Sequence, residues 1–353
     1  MNRFSKITVS QISRWVGLDE KETWVFARTL DDQFLPTRQI VINGKARSID
    51  APNCSTKKRL RKLHRAIQRQ TLLHGAAHGG VKGKSIFTSA GKHTGTSFIW
   101  TRDAKDCFPS VTGRSMNREL KRLGFATDVA RLLTYLFVIR GAIPQGSPLS
   151  NDALNLYFYR LDQFAASRAG QIGFSFSRVA DDFVLSGNTK AIGDALIRRI
   201  EERIGDHGLI INDKKRRNQG LQPGSNAQYV HNLLVNTRGS VRPNKDHKQI
   251  AIELAAKYVN MAQRVDAYSI PATADVRCRL QGYYYFLKQS DKSPHKWIKQ
   301  QLVLGDQKVM QKLEKIGLTS PKGKWWLITR CGKRIKNEPL RLASIWKRIL
   351  AAA

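Results

Sequence analysis

Phe174-Ser175-Phe176-Ser177-Arg178-Val179-Ala180-Asp181-Asp182-Phe183-Val184-Leu185 decides how the rest of the chain is read. The runs Ile172 to Val179 and Phe183 to Leu185 are β-like, and the tip Ala180-Asp181-Asp182 joins them as a hairpin. Adjacent carboxylates repel one another, and a divalent cation would relieve that repulsion. An Asp-Asp pair taken alone is an ordinary turn signal. A third carboxylate, Asp103, ends an independent predicted strand over Ser97 to Arg102. Strands meeting at one sheet edge would gather all three, a set suited to two Mg²⁺ ions about 4 Å apart in an in-line phosphoryl transfer.

Acids are scarce in this chain. Its 353 residues hold 27 Asp+Glu against 61 Lys+Arg, a formal net charge of +34. Hydrophobic residues make up 41% of it, so a basic disordered tail cannot account for most of the sequence. Such self-repulsion is most simply compensated by a polyanion. From Ala51 to Arg102 there is no acid at all, while Lys57, Lys58, Arg59, Arg61, Lys62, Arg65, Arg69, Lys82, Lys84, Lys92 and Arg102 fall inside. Lys57 to Gln70 reads as a helix with Leu60, Leu63 and Ile67 on its inner face and cations elsewhere, arranged for phosphate contact. The other reading is a solvated helix face.

Further exclusions follow. Arg3, Lys6 and Arg14 leave no secretory apolar region at the start, and no apolar run reaches the about 20 residues of a membrane span. Cys54, Cys107, Cys278 and Cys331 are too scattered for a zinc site or disulfide framework. A cytoplasmic protein without a membrane partner is expected.

Outward from the hairpin, Arg38 to Ile42 and Lys45 to Ile49 read as strands joined by Asn43-Gly44. His74 to His93, rich in glycine, reads as loop. Helices are expected over Ser115 to Leu123, Thr127 to Ile139, Asn151 to Ala166 and Lys190 to Ile204, with a strand over Leu209 to Ile211. After Asn236 the pattern is helical to about Gly317. Pro321 to Ala353 carries nine Lys+Arg, one acid and Trp325, Trp326 and Trp346.

Asp103-Ala104-Lys105-Asp106-Cys107-Phe108-Pro109-Ser110, Ile143-Pro144-Gln145-Gly146-Ser147-Pro148-Leu149-Ser150, Val179-Ala180-Asp181-Asp182 and Gly208-Leu209-Ile210-Ile211-Asn212-Asp213-Lys214-Lys215 resemble, in order, four motifs of reverse transcriptases. The resemblance spans roughly Val41 to Leu287. The retron type and its defence-associated bacterial relatives are nearest, through Lys45 to Pro52, His78 to Ile86 and Ser89-Ala90-Gly91-Lys92-His93.

That resemblance implies an α+β right-hand polymerase fold. Fingers would occupy 1–102 with part of 115–145, a palm with an antiparallel sheet 103–236, and a helical thumb 237–317. A basic Trp-containing extension, 318–353, has no family counterpart; it suggests extra RNA contact or a packed helix. By the same resemblance Asp103, Asp181 and Asp182 bind Mg²⁺, with Mn²⁺ as a substitute, and the Ala104 carbonyl is a further ligand. Phe108 is the steric gate against a ribose 2′-OH, and Gln145 contacts template and incoming nucleotide. Arg47 contacts the triphosphate, and Lys215 assists the leaving pyrophosphate, with Lys214 one residue away in register. Asp106 is read as a helix or turn cap. Lys57, Lys58, Arg59, Arg61, Lys62, Arg65, Lys82, Lys84 and Arg242 are candidate nucleic-acid contacts; Arg277, Arg279 and Tyr283 to Tyr285 suggest a thumb lying along a duplex.

The implied activity is RNA-directed DNA synthesis from dNTPs on a structured noncoding RNA, in bacterial anti-phage defence alongside an effector protein. Three departures stand out: Val179 where Tyr is usual, Ser89 in place of Asn, and Val230-His231-Asn232 in place of Val-Thr-Gly. Template-independent or protein-primed synthesis, and an RNA-binding scaffold without turnover, are the alternative readings on this fold.

Overall fold

A computed structural model describes residues 3–42, 45–70, 72–220, 227–266, 269–290 and 294–315. Two compact units divide the chain: Met1–His231 with Val235–Ser240, and Asn232–Leu234 with the residues from Val241 onward.

The first unit opens with α1 (Val9–Val16) and α2 (Glu20–Arg28), which the sequence pattern did not single out. Thr8 and Asp19 start them, each in a reciprocal capping box with Gln11 or Glu22. β1 (Arg38–Ile42) and β2 (Lys45–Ile49) pair antiparallel as expected, although the Asn43-Gly44 turn lies outside the described residues. α3 (Cys54–Arg69) begins earlier than its apolar period suggested, because Asn53 caps it by accepting from the Thr56 N–H. Leu60, Leu63 and Ile67 are buried on its inner face, each contributing about 1.5 to 3 kcal/mol.

The segment expected to be loop up to His93 contains α4 (Ile86–Ala90) and a 3-10 turn over Gly91–His93. Ser85 caps that helix, a local signal masked by the surrounding glycines. β3 (Phe98–Asp103), α5 (Cys107–Ser110), α6 (Gly113–Leu123) and α7 (Thr127–Phe137) follow. The helix expected over Asn151 to Ala166 is two, α8 (Ser150–Tyr157) and α9 (Tyr159–Gln171), meeting at Phe158. β4 (Ser175–Val179), β5 (Asp182–Gly187), α10 (Lys190–Asp206), β6 (Arg217–Gly220) and β7 (Tyr229–Val230) complete the unit. Leu209 to Ile211 is not a strand; it makes a single antiparallel bridge, Ile211 to Ala104.

The sheet has the order β4-β5-β3-β6, with every pairing antiparallel. Its period of two separates two faces. Trp100, Arg102, Phe176, Arg178, Phe183 and Leu185 share one, with α9 and α10 packed over the sheet. There Trp100, 1% exposed, donates to Asp194 at 2.8 Å, and its ring fills the place a Cβ on Gly193 would occupy. Asp103, Thr101, Ser177, Val179, Asp182, Val184 and Ser186 share the other.

In the second unit β8 (Leu233–Leu234) pairs with β9 (Arg242–Pro243). α11 (Lys245–Gln263), α12 (Ile270–Leu287) and α13 (His295–Lys315) pack around Leu254, Tyr258, Leu280, Ile298 and Val309. Arg277 corrects an expectation: it is buried and forks onto Asp306 at 2.6 and 2.7 Å, so it is committed to this core. Tyr283 and Tyr284 pack partly against the same core, whereas Tyr285 is exposed. Among the described residues no helix is long and apolar enough to cross a membrane.

Candidate active site

Asp103 and Asp182 face each other across the β3–β5 ladder at the end of the sheet. Asp181 stands beside them in the two-residue turn between Val179 and Asp182. That turn is held from three sides. Ala180 takes a left-handed φ of 54°, costly for a residue with a Cβ. The Arg178 guanidinium donates to the Ala180 carbonyl at 2.7 Å, and the Ala104 N–H donates to the Asp181 carbonyl at 3.1 Å. Above the turn, Gly79 lies so close that a Cβ there would come within 2.5 Å of the Ala180 nitrogen.

Arg178 explains how the turn keeps its place. Its side chain and that of Asp162 on α9 are both 0% exposed and pair bidentately at 2.8 and 2.6 Å. The guanidinium also stands 5.0 Å from the Phe158 ring centroid. The segment 76–78 runs along the free edge of β4, where the His78 N–H donates to the Arg178 carbonyl and the Arg178 N–H to the Ala76 carbonyl. An otherwise open sheet edge is thereby covered.

Lys215 reaches the carboxylates because 210–212 runs beside 103–105. The Lys105 N–H donates to the Ile210 carbonyl, and the Asn212 N–H to the Asp103 carbonyl. Lys215 Nζ then bonds Asp103 Oδ2 at 2.5 Å, and Asn212 Nδ2 bonds Asp103 Oδ1 at 3.2 Å. His231 Nδ1 stands 3.8 Å from Asp182 Oδ2.

The electrostatics follow from this crowding. Burial raises the Asp103 pKa, with help from Asp182 and against Lys215. Burial and the charges of Asp182 and Asp103 push Asp181 up to about 6. Burial also opposes ionisation of Asp182, but the neighbouring His231 and Asp103 and the Lys215 charge outweigh it and hold Asp182 low. Burial works against the Lys215 ammonium as well, yet Asp103, Asp182 and Asp181 together raise its pKa. Three hard oxygen donors short of positive charge are chemically suited to a divalent cation. Among the described residues, no three His, Cys, Asp or Glu side chains gather tightly enough to hold a metal ion as they stand.

Of the other residues singled out in the sequence, Phe108, Gln145, Arg47 and Asp106 make no hydrogen bond or ion pair to the three carboxylates among the described residues, and Ala104 meets them only through its N–H to the Asp181 carbonyl. Phe108 on α5 packs partly against the main core. Gln145 is half-buried, and its carbonyl accepts from the Asp50 N–H at 2.9 Å, tying that loop to the base of the β1–β2 hairpin. Arg47 is exposed on β2. Asp106 occupies the residue before α5, but its side chain caps nothing. Ala104 is buried.

On α3, Lys58, Arg61, Lys62 and Arg65 are exposed, while Lys57 and Arg59 are half-buried. Arg59 donates to the Gly17 carbonyl at 3.0 Å, and Arg65 to the Arg61 carbonyl at 3.2 Å. The helix is anchored by His64 and Gln68, which bond buried Asp152 at 2.6 and 2.7 Å. Lys82 is exposed. Lys84 is not a free surface cation: its ammonium bonds the Gly75 and Ala77 carbonyls at 2.5 and 3.0 Å. Arg242 lies on β9 of the second unit, and 318–353 lies outside the described residues.

Sequence reasoning missed Asp162, and gave His78, Gly79, Arg178 and Ser177 no individual role. The available signal was Arg178 itself, a permanent cation inside an apolar strand, which demands a buried partner.

A buried acidic strand end opposite an acidic hairpin turn, with a lysine delivered to the same carboxylates, defines the palm of a right-hand polymerase. Residues 35–223 match the family model described as reverse transcriptase (RNA-dependent DNA polymerase), more than half of the chain, and the chain belongs to that family. Its relatives are of the retron type. It is 30% identical over 230 residues to the retron Mx162 reverse transcriptase of Myxococcus xanthus, covering 57% of this chain and 47% of that protein. It is 32% identical over 137 residues to the retron Ec86 reverse transcriptase of Escherichia coli, covering 39% and 43%. The chain thus spans about half the length of the curated relatives it matches. A solved telomerase from Candida albicans, in complex with a TWJ fragment of telomeric RNA, aligns at a TM-score of 0.45 and 11% identity, over 94% of this chain and 70% of that one.

Proposed function

We propose that this protein is an RNA-directed DNA polymerase that copies a dedicated noncoding RNA into DNA by two-metal nucleotidyl transfer. The observation that carries the reading is the convergence of Asp103, Asp182 and Lys215 beside the clamped Ala180-Asp181 turn. Asp103, Asp181, Asp182 and the Ala104 carbonyl are the groups to hold Mg²⁺, or Mn²⁺ in its place. The metal would activate the primer hydroxyl and stabilise the leaving pyrophosphate.

The protein's own groups do the rest. Lys215, kept charged by three carboxylates, supplies a proton from Nζ to the leaving pyrophosphate. Arg47 offers a guanidinium fork to the triphosphate. Phe108 excludes a ribose 2′-OH by bulk, and Gln145 orients template and nucleotide. The exposed cations of α3, with Lys82 and Arg242, contact phosphates. Fingers (1–102 with part of 115–145), palm (103–236) and thumb (237–317) are the division that this reading implies, with 318–353 as a basic extension. Val179 lies on the carboxylate face of the sheet, where a Tyr is usual in this family; the metal chemistry needs only the carboxylates. A bacterial cytoplasmic anti-phage role with an effector protein rests on the retron resemblance.

Sequencing the nucleic acids that co-purify with the protein tests this directly. One structured RNA, with DNA complementary to part of it, is the expected result. A homopolymer or simple repeat matching no RNA would indicate template-independent synthesis. Bound RNA with no incorporation under any metal condition would indicate a scaffold.

A further inference from the structure

A chain of hydrogen bonds crosses the carboxylate face of the sheet and ends at the active site. Ser186 Oγ meets His93 Nδ1 at 2.7 Å, and His93 Nε2 meets Ser177 Oγ at 2.7 Å. Ser177 Oγ meets Ser89 Oγ at 2.7 Å, and Ser89 Oγ meets His231 Nε2 at 3.0 Å. His231 Nδ1 then stands 3.8 Å from Asp182 Oδ2. Ser186, His93, Ser177 and Ser89 are all buried. Ser89 and His231 both fall where the chain departs from the retron pattern, and here they bond each other.

Proton counting gives this chain a direction. Burial holds His93 at a pKa of about 3, so its ring is neutral and carries one N–H. Each serine hydroxyl has one proton to give. Once Ser89 donates to His231 Nε2, every earlier link is fixed in the same sense, because each donor's single proton is then already used. With the opposite sense at the last link, a neutral His231 would spend its N–H on Ser89 and aim a bare lone pair at a carboxylate. If the links point toward Asp182, Ser186 donates to His93, His93 to Ser177, Ser177 to Ser89 and Ser89 to His231 Nε2. That leaves the N–H on Nδ1, facing Asp182.

We propose that His231 is a positioning residue for Asp182, presenting Nδ1–H to it, and that the buried Ser186–His93–Ser177–Ser89 chain supports that tautomer by donating to Nε2. The role rests on the polymerase reading above, but the tautomer does not. Asn232 and His231 both have left-handed backbones, with φ of 62° and 51°, which fix the ring where the chain needs it.

Two measurements test the proposal. In ¹⁵N-labelled protein, long-range ¹H–¹⁵N spectra should show His231 protonated at Nδ1 in the wild type and shifted toward Nε2 in Ser89→Ala. An Nε2–H ring in the wild type overturns the proposal whether or not the protein makes DNA.

In nucleotide incorporation, His231→Ala should lower kcat about 10- to 100-fold, a range typical when groups supporting a metal ligand are lost, with KM for dNTP within about twofold. Ser89→Ala should lose less, and the double variant no more than His231→Ala alone. His231→Asn, which keeps a donor at the Nδ1 position and tolerates the left-handed backbone, should recover most of the rate. His231→Gln, which keeps only the Ser89 contact, should not. Equal rescue by both, or losses that multiply, would refute the chain. A wild type that makes no DNA would count against the polymerase reading alone, with the tautomer still read by NMR.

Discussion

Replacing Asp162 by alanine would leave the Arg178 guanidinium buried with neither carboxylate oxygen. Both side chains are 0% exposed, and the pair is bidentate at 2.8 and 2.6 Å, so the guanidinium has no contact with bulk solvent. Breaking a buried pair from one side costs about 3 to 5 kcal/mol, against a total domain stability of roughly 5 to 15. The Asp162→Ala protein should therefore unfold at much lower urea, followed by far-UV circular dichroism. Replacing both partners, as Asp162→Leu with Arg178→Met, removes the stranded charge and fills the space against Phe158; stability should return to within about 2 kcal/mol of wild type. Activity should not return, because Met cannot hold the Ala180 carbonyl that Arg178 holds at 2.7 Å. A displacement of about 1 Å at a reacting group can cost 100-fold, so DNA synthesis by the stable double variant should fall by about that factor. Full activity in the double variant, or a loss under about 1 kcal/mol in Asp162→Ala, would refute the clamp.

Other perturbations isolate other parts of the account. Gly79→Ala should abolish synthesis while RNA binding persists, since the new Cβ would meet the Ala180 nitrogen at 2.5 Å; retained activity would contradict that packing. His78 and His93 are both pushed down to about 3, chiefly by burial, so between about pH 6.5 and 3 the unfolded chain binds more protons than the folded one. Stability should fall as pH drops below about 6.5, by roughly 1.4 kcal/mol per histidine at pH 5.5. His78→Asn, which can keep the Thr88 bond, should flatten that slope in denaturation curves taken across pH. Phe108→Ala should raise incorporation of ribonucleotides relative to deoxynucleotides; an unchanged ratio would remove Phe108 from the gate.

The parts legible in the sequence were those encoded locally. Alternation around Asp181-Asp182 gave the hairpin, and Leu60, Leu63 and Ile67 gave the inner face of α3. The break at Phe158 was not legible, because apolar periodicity continues across it. Leu209 to Ile211 looked like a strand from β-branching alone, but only Ile211 makes a bridge. The support around the carboxylates was hidden for a different reason. Asp162 and Arg178 meet across a helix–sheet interface, and Ser89 and His231 are 142 residues apart. Nothing in local propensity links such residues. Lys84 and Arg277 show the converse: in a chain of +34, a cation's presence does not reveal whether its charge faces solvent or is committed to carbonyls or to an aspartate of the core.

The central claim is that Asp103, Asp181 and Asp182 support templated DNA synthesis. Protein purified with its own RNA, given Mg²⁺ and labelled dNTPs, should yield a DNase-sensitive product whose sequence matches that RNA. The Asp181→Ala, Asp182→Ala variant, bound to the same RNA, should yield none. An unchanged yield from the variant would contradict the active-site assignment, and no product from the wild type would contradict the proposed activity.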